Sequence, residues 1–598
     1  MTMYGFHGRF LHVDLSTGRI SWRELEESRL QNFLGGIGLG TSLLYEFAPA
    51  GVEPLSPANP LIFTSAPLVG TGLTTTAKYA VVTKSPLTNF IADSLSSSFF
   101  ALELKRVGID ALVITGRASS PVYLFVEEEK AELRSADELW HESASETETL
   151  IRAQNEDPAI RVASIGLAGE NCVRFATISN EGRHAGRGGV GAVMGSKNLK
   201  AVALRGHAQV PVADPHGVAA IAATLRDRSL GTLTAKYREI GTVANLAVFN
   251  QLGALPTRNF QQATFEHAEG VSGESLTENN FSRKQGCASC TIRCERLFKS
   301  LSGDEQRLEY ETLFALGPLC GVQDPEIVLQ AARLCDHYGI DTISTGGTLA
   351  WAMECAEKGL LPEAVGLRFG QGEALLQMIS LIAERSDLGT VLAEGSRRAA
   401  ALTGHDAAYW AMHVKGLEMP GYEPRSLKTM ALGLAVSPRG ACHNRSGAYE
   451  ADFSGAVDRL KGDAERGAVV KGSEDFNATL DSLIVCKFLR KCFHDFYSES
   501  AELVERVTGW RYSDADLRRT GERISTLKKL FNIREGWQPA DDWLPMRLLS
   551  EPIRDGVAQG VELSADELRE MIESYYRARD WNENGFIPES KLRDLGLI

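Results

Sequence analysis

Three cysteines fall within eight residues, in the segment Cys287-Ala-Ser-Cys290-Thr-Ile-Arg-Cys294. Closely spaced thiols in a chain without a secretory signal are more often metal ligands than disulfide partners. Three thiolates that receive a fourth from elsewhere are typical of a cubane iron–sulfur cluster. The alternatives are a structural zinc site with distant ligands, or unligated buried cysteines. The order C-x2-C-x3-C is the reverse of the order that a radical-SAM enzyme would need.

Two further side chains are candidates for proton transfer. Glu311 follows Tyr310 at the predicted start of a helix and precedes an apolar stretch, where burial would raise the pKa of its carboxyl group. A glutamate that only stabilises a helix N-terminus is the alternative. His443 lies in the polar segment 440–447. It is either a proton shuttle or a surface histidine, and the second is the more common case.

Two short segments resemble each other, namely Asp336-His-Tyr-Gly-Ile-Asp341 and Asp481-Ser-Leu-Ile-Val-Cys486. Matched acidic segments on separate helices could hold two copies of one ligand, because a carboxylate accepts hydrogen bonds from the paired N–H groups of a heterocycle. The second segment ends in a thiol. Cys486 is therefore a natural fourth ligand for the cluster.

A glycine-rich stretch, residues 186–200, contains Arg187, Gly188, Lys197 and Lys200 between two predicted strands. Glycines let backbone amides approach an anion and lysines neutralise it, so phosphate binding is one interpretation. The stretch lacks the order of a P-loop. A glycine-rich turn without a ligand explains it equally well.

Composition limits the class of protein. The chain has 598 residues, a formal net charge of −14 and ten cysteines. The acidity argues against nucleic acid as the main partner. The N-terminus has no basic and apolar signal pattern, and no apolar run is long enough to span a membrane. These features predict a cytoplasmic protein that handles electrons.

The predicted secondary structure that positions these residues changes from mostly strands to mostly helices near residue 214. Before it, β-branched runs predict strands, including a hairpin within 1–24 and strands near 61–63, 80–83, 111–115 and 121–126. Glycines at 35–40 open a helix and indicate close packing or a ligand, of which packing is the more common use. After 214, amphipathic helices are predicted at 216–230, 323–338, 343–358, 371–386, 425–437, 475–493, 498–508, 513–530 and 564–577.

This order predicts an α+β protein. We expect a β-rich N-terminal domain over 1–210, followed by two mostly helical domains over 211–415 and 416–598, with a cofactor buried at their interface. A polar segment with a proline at 206–214 marks the first boundary, and polar interruptions lie at 268–285 and 461–475.

Several segments in order resemble the tungsten-containing aldehyde:ferredoxin oxidoreductases over nearly the whole chain. They are Gly35–Gly40, Thr83–Pro86, Gly191–Val202, the cysteine triplet, Glu309–Glu311, Lys415-Gly-Leu-Glu-Met-Pro-Gly-Tyr-Glu-Pro-Arg425 and the paired acidic segments. The resemblance implies that two molybdopterins chelate one tungsten (or molybdenum), with Mg²⁺ bridging their phosphates. It implies a [4Fe-4S] cluster held by Cys287, Cys290, Cys294 and Cys486.

The resemblance also implies roles for individual residues. Glu311 would be the proton acceptor beside the metal, His443 the substrate-orienting donor, and Tyr310 their neighbour. The implied cofactor contacts are Lys78, Asp93, Arg187, Gly188, Lys197, Asp336, Ile340, Asp341, Asp481 and Val485. The implied reaction converts an aldehyde and water into a carboxylate, and electrons leave through the cluster to a ferredoxin or a ferredoxin-like subunit. Assembly as a homo- or hetero-oligomer is compatible with it.

Three positions depart from the family pattern. Lys78 stands where an arginine is frequent, and a lysine lacks the planar fork of a guanidinium group. The expected metal-and-phosphate loop, 93–100, lacks its glycine pair, and Ile484 replaces a glycine in the second acidic segment. A related low-potential reductase, such as an aromatic acyl-CoA reductase, is therefore an alternative function. A non-catalytic iron–sulfur electron-transfer protein is a second.

Overall fold

The strands of the N-terminal region carry the residues that approach the site from one side. The computed structural model describes residues 3–361 and 366–598. The first twelve strands are β1 (Arg9–Asp14), β2 (Arg19–Glu24), β3 (Leu61–Thr64), β4 (Lys78–Lys84), β5 (Ile91–Ser97), β6 (Ala111–Thr115), β7 (Val122–Glu127), β8 (Lys130–Ser135), β9 (Arg161–Ser164), β10 (Ile178–Asn180), β11 (Arg183–Ala185) and β12 (Leu199–Arg205).

These strands form two six-stranded sheets, with the orders β2-β1-β6-β3-β4-β5 and β11-β10-β9-β12-β7-β8. In each sheet one pair is parallel, β1 with β6 and β12 with β7, and the other pairs are antiparallel. The apolar, β-branched run of β6 lies at an interior position of the first sheet, as a strand covered on both faces requires.

Helices dominate the rest of the chain. The N-terminal region contributes α1 (Glu27–Phe33), α2 (Gly36–Phe47), α3 (Phe99–Arg106), α4 (Ala144–Gln154), α5 (Leu167–Glu170) and α6 (Val190–Ser196). Those that follow are α7 (Pro215–Ser229), α8 (Ala235–Glu239), α9 (Asn245–Gln251), α10 (Gly273–Asn279), α11 (Tyr310–Leu316), α12 (Pro325–Tyr338), α13 (Thr342–Glu357), α14 (Gly372–Glu384), α15 (Gly389–Leu392), α16 (Ser396–Thr403), α17 (Lys428–Val436), α18 (His443–Ser446), α19 (Tyr449–Ser454), α20 (Arg466–Ser482), α21 (Phe496–Thr508), α22 (Asp514–Arg534), α23 (Met546–Ser550), α24 (Ala565–Ala578) and α25 (Glu589–Asp594). The predicted α+β class, with a β-rich beginning and a helical remainder, is confirmed.

One helix predicted beyond residue 214 was wrong in extent, and one small sheet was not predicted. The helix predicted over 475–493 ends at Ser482, and a separate 3-10 turn spans Lys487–Cys492. The polar region near 281 contains strands, because β13 (Phe281–Gln285), β14 (Glu295–Lys299) and β15 (Glu305–Leu308) form a small antiparallel sheet. The cysteine triplet lies in the connection between β13 and β14. A two-stranded ribbon, β16 (His413–Val414) and β17 (Leu417–Glu418), completes the strands.

Helix α2 ties the first sheet to the helical region. It packs on β4 and on α20 and α22, and its glycines allow this close approach. A Cβ atom at Gly36 would collide with the backbone oxygen of Asp481, and one at Gly38 with the side chains of Ser482 and Ile524. The packing interpretation of these glycines is confirmed. Among residues 3–361 and 366–598, no helix is both long and apolar enough to cross a membrane.

Candidate active site

The first acidic segment is the C-terminal end of α12. Gly339 adopts a left-handed conformation (φ 74°), and the amide of Ile340 donates to the carbonyl of Cys335 at 2.9 Å. These features define a Schellman turn, which needs a left-handed residue directly after the helix. Asp336 lies in the last helical turn, and Asp341 caps α13 by accepting from its first amides. The turn therefore places the two carboxylates at the ends of consecutive helices.

The second acidic segment repeats this backbone turn at the end of α20. The amide of Val485 donates to the carbonyl of Leu480 at 3.0 Å, and Ile484 takes the left-handed position (φ 62°). A β-branched residue is strained there, which explains why a glycine is usual at this place. Asp481 occupies the position of Asp336 in the first turn. Cys486 then precedes a 3-10 turn, so the shared sequence pattern is one motif used twice.

The four cysteines predicted as cluster ligands line one small cavity. Cys287, Cys290 and Cys294 reach it from the β13–β14 connection, and Cys486 reaches it from the end of the α20 turn. The lining is completed by Thr75, Ala77, Lys78, Ile292 and Phe488. Four thiols around one cavity are the donor set that a cubane requires. In the described part of the chain, no three His, Cys, Asp or Glu side chains converge on a point that a single metal ion could occupy.

Lys78 projects from the beginning of β4 into the same cavity. Burial opposes its charge, but the facing Cys486, Asp481 and Cys287 outweigh this effect and raise the pKa of Lys78. The ammonium group therefore stays charged between the cysteines and the second acidic segment. A cation at this place can stabilise negative charge on a thiolate-bound cluster.

Asp93 lies in strand β5, whereas the sequence suggested a metal-and-phosphate loop. Its buried carboxylate forms ion pairs with Arg439, Arg445 (2.9 Å) and Lys528, and its backbone oxygen accepts from both arginines. Burial alone would raise the pKa of Asp93, but these three cations lower it. Arg445 also binds Asp481 at 2.8 Å. The cations thus connect β5 to the second helix end, and each oxygen of Asp93 is contacted by at least one of them.

Arg187 connects the N-terminal region to the first helix end. Its Nε donates to Asp341 at 3.1 Å, and its terminal nitrogens donate to the backbone oxygens of Ala441 (2.9 Å) and Glu418 (2.7 Å). Gly188 follows with a φ of 87°, and a Cβ atom there would collide with Ala92. The glycine is therefore needed for close packing against β5.

The lysines of the glycine-rich stretch do not join this site. Lys197 donates to the backbone oxygens of Pro57 (3.1 Å) and Gly116 (3.2 Å), and burial lowers its pKa to about 7. Lys200 forms a buried ion pair with Glu170. The prediction that Lys197 contacts the cofactor is therefore not supported by its position, which fits a turn inside the N-terminal region.

Asp336 faces a cavity of about 440 Å³ that is separate from the cavity of Glu311. Its carboxylate lies 3.0 Å from Nε2 of His184 and accepts from Gln306 at 2.7 Å. Burial would raise the pKa of Asp336, but His184 and the neighbouring polar groups lower it. The structure thus gives this carboxylate polar partners from strands β11 and β15, and Ile340 is buried.

The proposed catalytic residues line one cavity of about 940 Å³. Glu311, in the first turn of α11, accepts from the amide of Gly421 at 3.0 Å, and its other oxygen lies 3.5 Å from Nε2 of His443. The hydroxyl of Tyr310 donates to the carbonyl of Gly421. His443 begins α18, and its ring stacks on Tyr422 with a centroid distance of 5.0 Å. The interpretation of His443 as a surface histidine was wrong, because it is buried.

The pKa shifts in the cavity suit Glu311 as a proton acceptor and His443 as a neutral hydrogen-bond donor. Burial raises the pKa of Glu311 to about 7. Burial, together with Lys487 and nearby arginines, holds the pKa of His443 well below its ordinary value. Among the described residues, Oε1 of Glu311, Nδ1 of His443 and Nε of the nearby Arg439 are buried without hydrogen-bond partners. Buried polar atoms are costly when unpaired, so these atoms fit a polar cofactor or substrate.

Sequence reasoning missed the aromatic wall of this cavity. Phe249 packs against Tyr310, Tyr422 and Phe453 at centroid distances of 4.9, 5.3 and 5.0 Å, and Tyr449 stacks on Tyr422 at 4.9 Å. Only Tyr310 and Tyr422 lay in recognised motifs. The other aromatic residues come from α9 and α19, which no chemical pattern marks.

Comparisons with known proteins agree with this geometry. Residues 10–206 match a family model described as "Aldehyde ferredoxin oxidoreductase, N-terminal domain", and residues 220–597 match "Aldehyde ferredoxin oxidoreductase, domains 2 & 3". A tungsten-containing aldehyde ferredoxin oxidoreductase from Thermococcus kodakarensis is 40% identical over 100% of this chain and 99% of its own length. The WOR-like subunit of an aliphatic sulfonate oxidoreductase from Pyrococcus furiosus is 31% identical over 100% and 97%.

A solved structure has the same fold. It is the active site complex BamBC of benzoyl coenzyme A reductase, in complex with 1,5-dienoyl-CoA. The similarity has a TM-score of 0.85 at 25% sequence identity and covers 100% of this chain and 98% of the other.

Proposed function

Because the chain belongs to the aldehyde ferredoxin oxidoreductase family, we propose that it oxidises aldehydes to carboxylic acids, or catalyses the reverse reaction. Each turnover consumes one aldehyde and one water and releases one carboxylic acid, two protons and two electrons. The electrons pass through a [4Fe-4S] cluster to a ferredoxin or a ferredoxin-like subunit. The observation that carries this proposal is the cavity of about 940 Å³ that Glu311, His443 and Tyr310 line together.

The residues around the site fit the cofactors of this family. When bound, the tungsten–pterin centre supplies the two-electron oxidation, and the cluster carries the electrons away one at a time. We propose that Cys287, Cys290, Cys294 and Cys486 hold the cluster. The positions proposed to contact the two pterins are Lys78, Asp93, Arg187, Gly188, Asp336, Ile340, Asp341, Asp481 and Val485. Asp93 would act through the cations that it orients, and a Mg²⁺ ion between the phosphates would take other oxygen ligands.

Within the cavity, each residue has a distinct task. Glu311 accepts a proton from the water or hydrated aldehyde, since its pKa of about 7 places it near the working pH. His443 is held neutral and donates a hydrogen bond to the substrate oxygen from one ring nitrogen. Tyr310 keeps its proton, because burial raises the pKa of its hydroxyl well above the ordinary value, and it positions the Gly421 backbone.

The remaining parts of the proposal concern organisation and place. We propose the domain boundaries 1–210, 211–415 and 416–598. Thiol ligands must stay reduced to bind the cluster, which favours the cytoplasm. The substrate is a small aldehyde or carboxylate whose body contacts the aromatic wall of the cavity.

Metal content and activity test the proposal together. Purified protein from cells grown with both tungstate and molybdate should contain about four irons and about one tungsten or molybdenum per chain. It should reduce viologen dyes with aldehydes. Iron without tungsten or molybdenum would reject the cofactor assignment.

An aromatic acyl-CoA reductase is a second candidate, favoured by the fold shared with the BamBC complex. Assays of aldehydes against benzoyl-CoA decide between the two. Turnover of benzoyl-CoA, without turnover of any aldehyde in the panel, would establish the second candidate.

A further inference from the structure

A groove of about 720 Å³ opens on the N-terminal region beside the cysteine cavity. Its walls are the loop 69–77, the end of α3 and the segment 205–212, and Ser289 contributes one edge. Gly70 and Gly72 in the loop have φ values of 83° and 85°, and a Cβ atom at either would meet no neighbour. The proposed catalytic chemistry uses none of these residues.

The groove adjoins the proposed electron exit. Ala77 lines both the groove and the cavity of the four cysteines. Ser289 is exposed and lies in sequence between Cys287 and Cys290. A molecule seated in the groove would therefore contact residues that flank the proposed cluster ligands in space or in sequence. Such proximity matters because electron transfer weakens steeply with distance.

The charge of the groove is opposite to that of the whole chain. Lys105, Arg106 and Arg205 line it, and its described lining contains no carboxylate, although the chain has a net charge of −14. These cations pair with Asp110 and Glu103, which are buried, and with Asp157, which is 33% exposed but does not line the groove. The Arg106 side chain is 54% exposed, whereas those of Glu103 and Asp110 are 3% and 0% exposed. The groove therefore presents N–H donors outward.

We propose that this groove is the docking surface for a small, acidic electron-transfer protein with its own redox centre. The proposal rests on the proposed function, which requires an electron acceptor at the cluster. Exposed carboxylates of the carrier would face the side chains of Arg106, Arg205 and His207, and this complementarity would speed encounter and fix orientation. Each redox centre of the carrier takes one electron, so two oxidised centres are reduced for every aldehyde oxidised.

Charge reversal at the groove tests the proposal in the intact enzyme. The test variant is Arg106→Glu with His207→Glu, and the control is Arg569→Glu, whose side chain is 55% exposed on α24. Aldehyde oxidation is followed with two acceptors, an acidic two-cluster bacterial ferredoxin and the small dye benzyl viologen. The test variant should raise the KM for ferredoxin about tenfold and leave the viologen rate unchanged. The control should match the wild type with both acceptors.

Salt dependence and a second variant complete the test. The wild-type KM for ferredoxin should rise with ionic strength, because salt screens exposed charges. If the first variant also lowers the viologen rate, Gln209→Glu replaces it, since Gln209 is an exposed lining residue of the groove. A KM for ferredoxin within about twofold of the control in a variant with normal viologen activity would overturn the docking site. Wild-type protein without viologen activity would instead reject the proposed function, and direct binding of ferredoxin to wild type and variant would then decide the docking site alone.

Discussion

Ile484 offers a test in which the usual ranking of alanine and glycine should reverse. At an ordinary helical position, glycine is less favourable than alanine by about 1 kcal/mol. Ile484 is in the left-handed region at φ 62°, where a residue with a Cβ atom pays about 1–2 kcal/mol that glycine does not. Both replacements lose the buried side chain, which packs on Ala66 and Val69 and is worth about 2–5 kcal/mol.

The two variants of Ile484 should therefore both be less stable than the wild type, but Ile484→Gly should be more stable than Ile484→Ala, by up to about 1 kcal/mol. Leu483 provides the matched control, because it is equally buried and has the right-handed conformation of φ −79° and ψ −9°. Leu483→Ala should be more stable than Leu483→Gly.

Hydrogen exchange of the peptide 478–486, read by mass spectrometry in the intact protein, measures this local stability. A difference of 1 kcal/mol changes the exchange rate of the protected amides about fivefold. Slower exchange in Ile484→Ala than in Ile484→Gly would refute the argument from backbone strain.

Three further perturbations address the site itself. Cys486→Ser should lose most of the iron of the iron–sulfur cluster. Cys492→Ser is the control, because the wild-type Cys492 thiol is buried among other apolar side chains, and this variant should keep about four irons per chain. Equal iron content in the two variants would exclude Cys486 as a ligand. Burial raises the pKa of Glu311 to about 7, so the fraction in the carboxylate form increases as the pH rises through that value. The kcat/KM for an aldehyde should therefore rise through an apparent pKa near 7. Glu311→Gln should lower kcat/KM about 10²–10⁴-fold and remove this pH-dependent rise. A pH profile unchanged in Glu311→Gln would assign the base elsewhere. Phe249→Ala should raise the KM for an aromatic aldehyde about tenfold, since an aromatic pair contributes about 0.5–1.5 kcal/mol beyond its buried area, while Phe281→Ala, on an exposed strand, should not.

Local sequence patterns predicted the elements whose conformation is determined by residues close to them in sequence. The start of the helix at Tyr310 and the strand at 111–115 are examples. The end of α20 was not predictable in this way, because Ile484 continues the apolar period of the helix. The chain leaves the helix there because the amide of Val485 donates to the carbonyl of Leu480, and the amide of Cys486 donates to the carbonyl of Thr75, 411 residues earlier.

The candidate site was predictable where its ligands share a short segment. The cysteine triplet and the paired acidic segments belong to this class, and each could be found from sequence as a proposed cofactor-binding segment. The cations around Asp93 could not be found in this way, because Arg439, Arg445 and Lys528 lie 346 to 435 residues away in sequence. A buried carboxylate on a strand needs cationic partners, but the sequence of the strand does not indicate which lysines or arginines supply the positive charge.

The C-terminal end of α20 has a consequence for redox tuning. The partial negative charge of a helix C-terminus lies just before Cys486, where it disfavours an added electron on a cluster bound there. The ammonium group of Lys78, which also lines the cavity, acts in the opposite direction. A cluster bound by these cysteines would therefore have its midpoint potential set by two fixed charges of opposite sign, and replacing Lys78 with methionine should make it a stronger reductant.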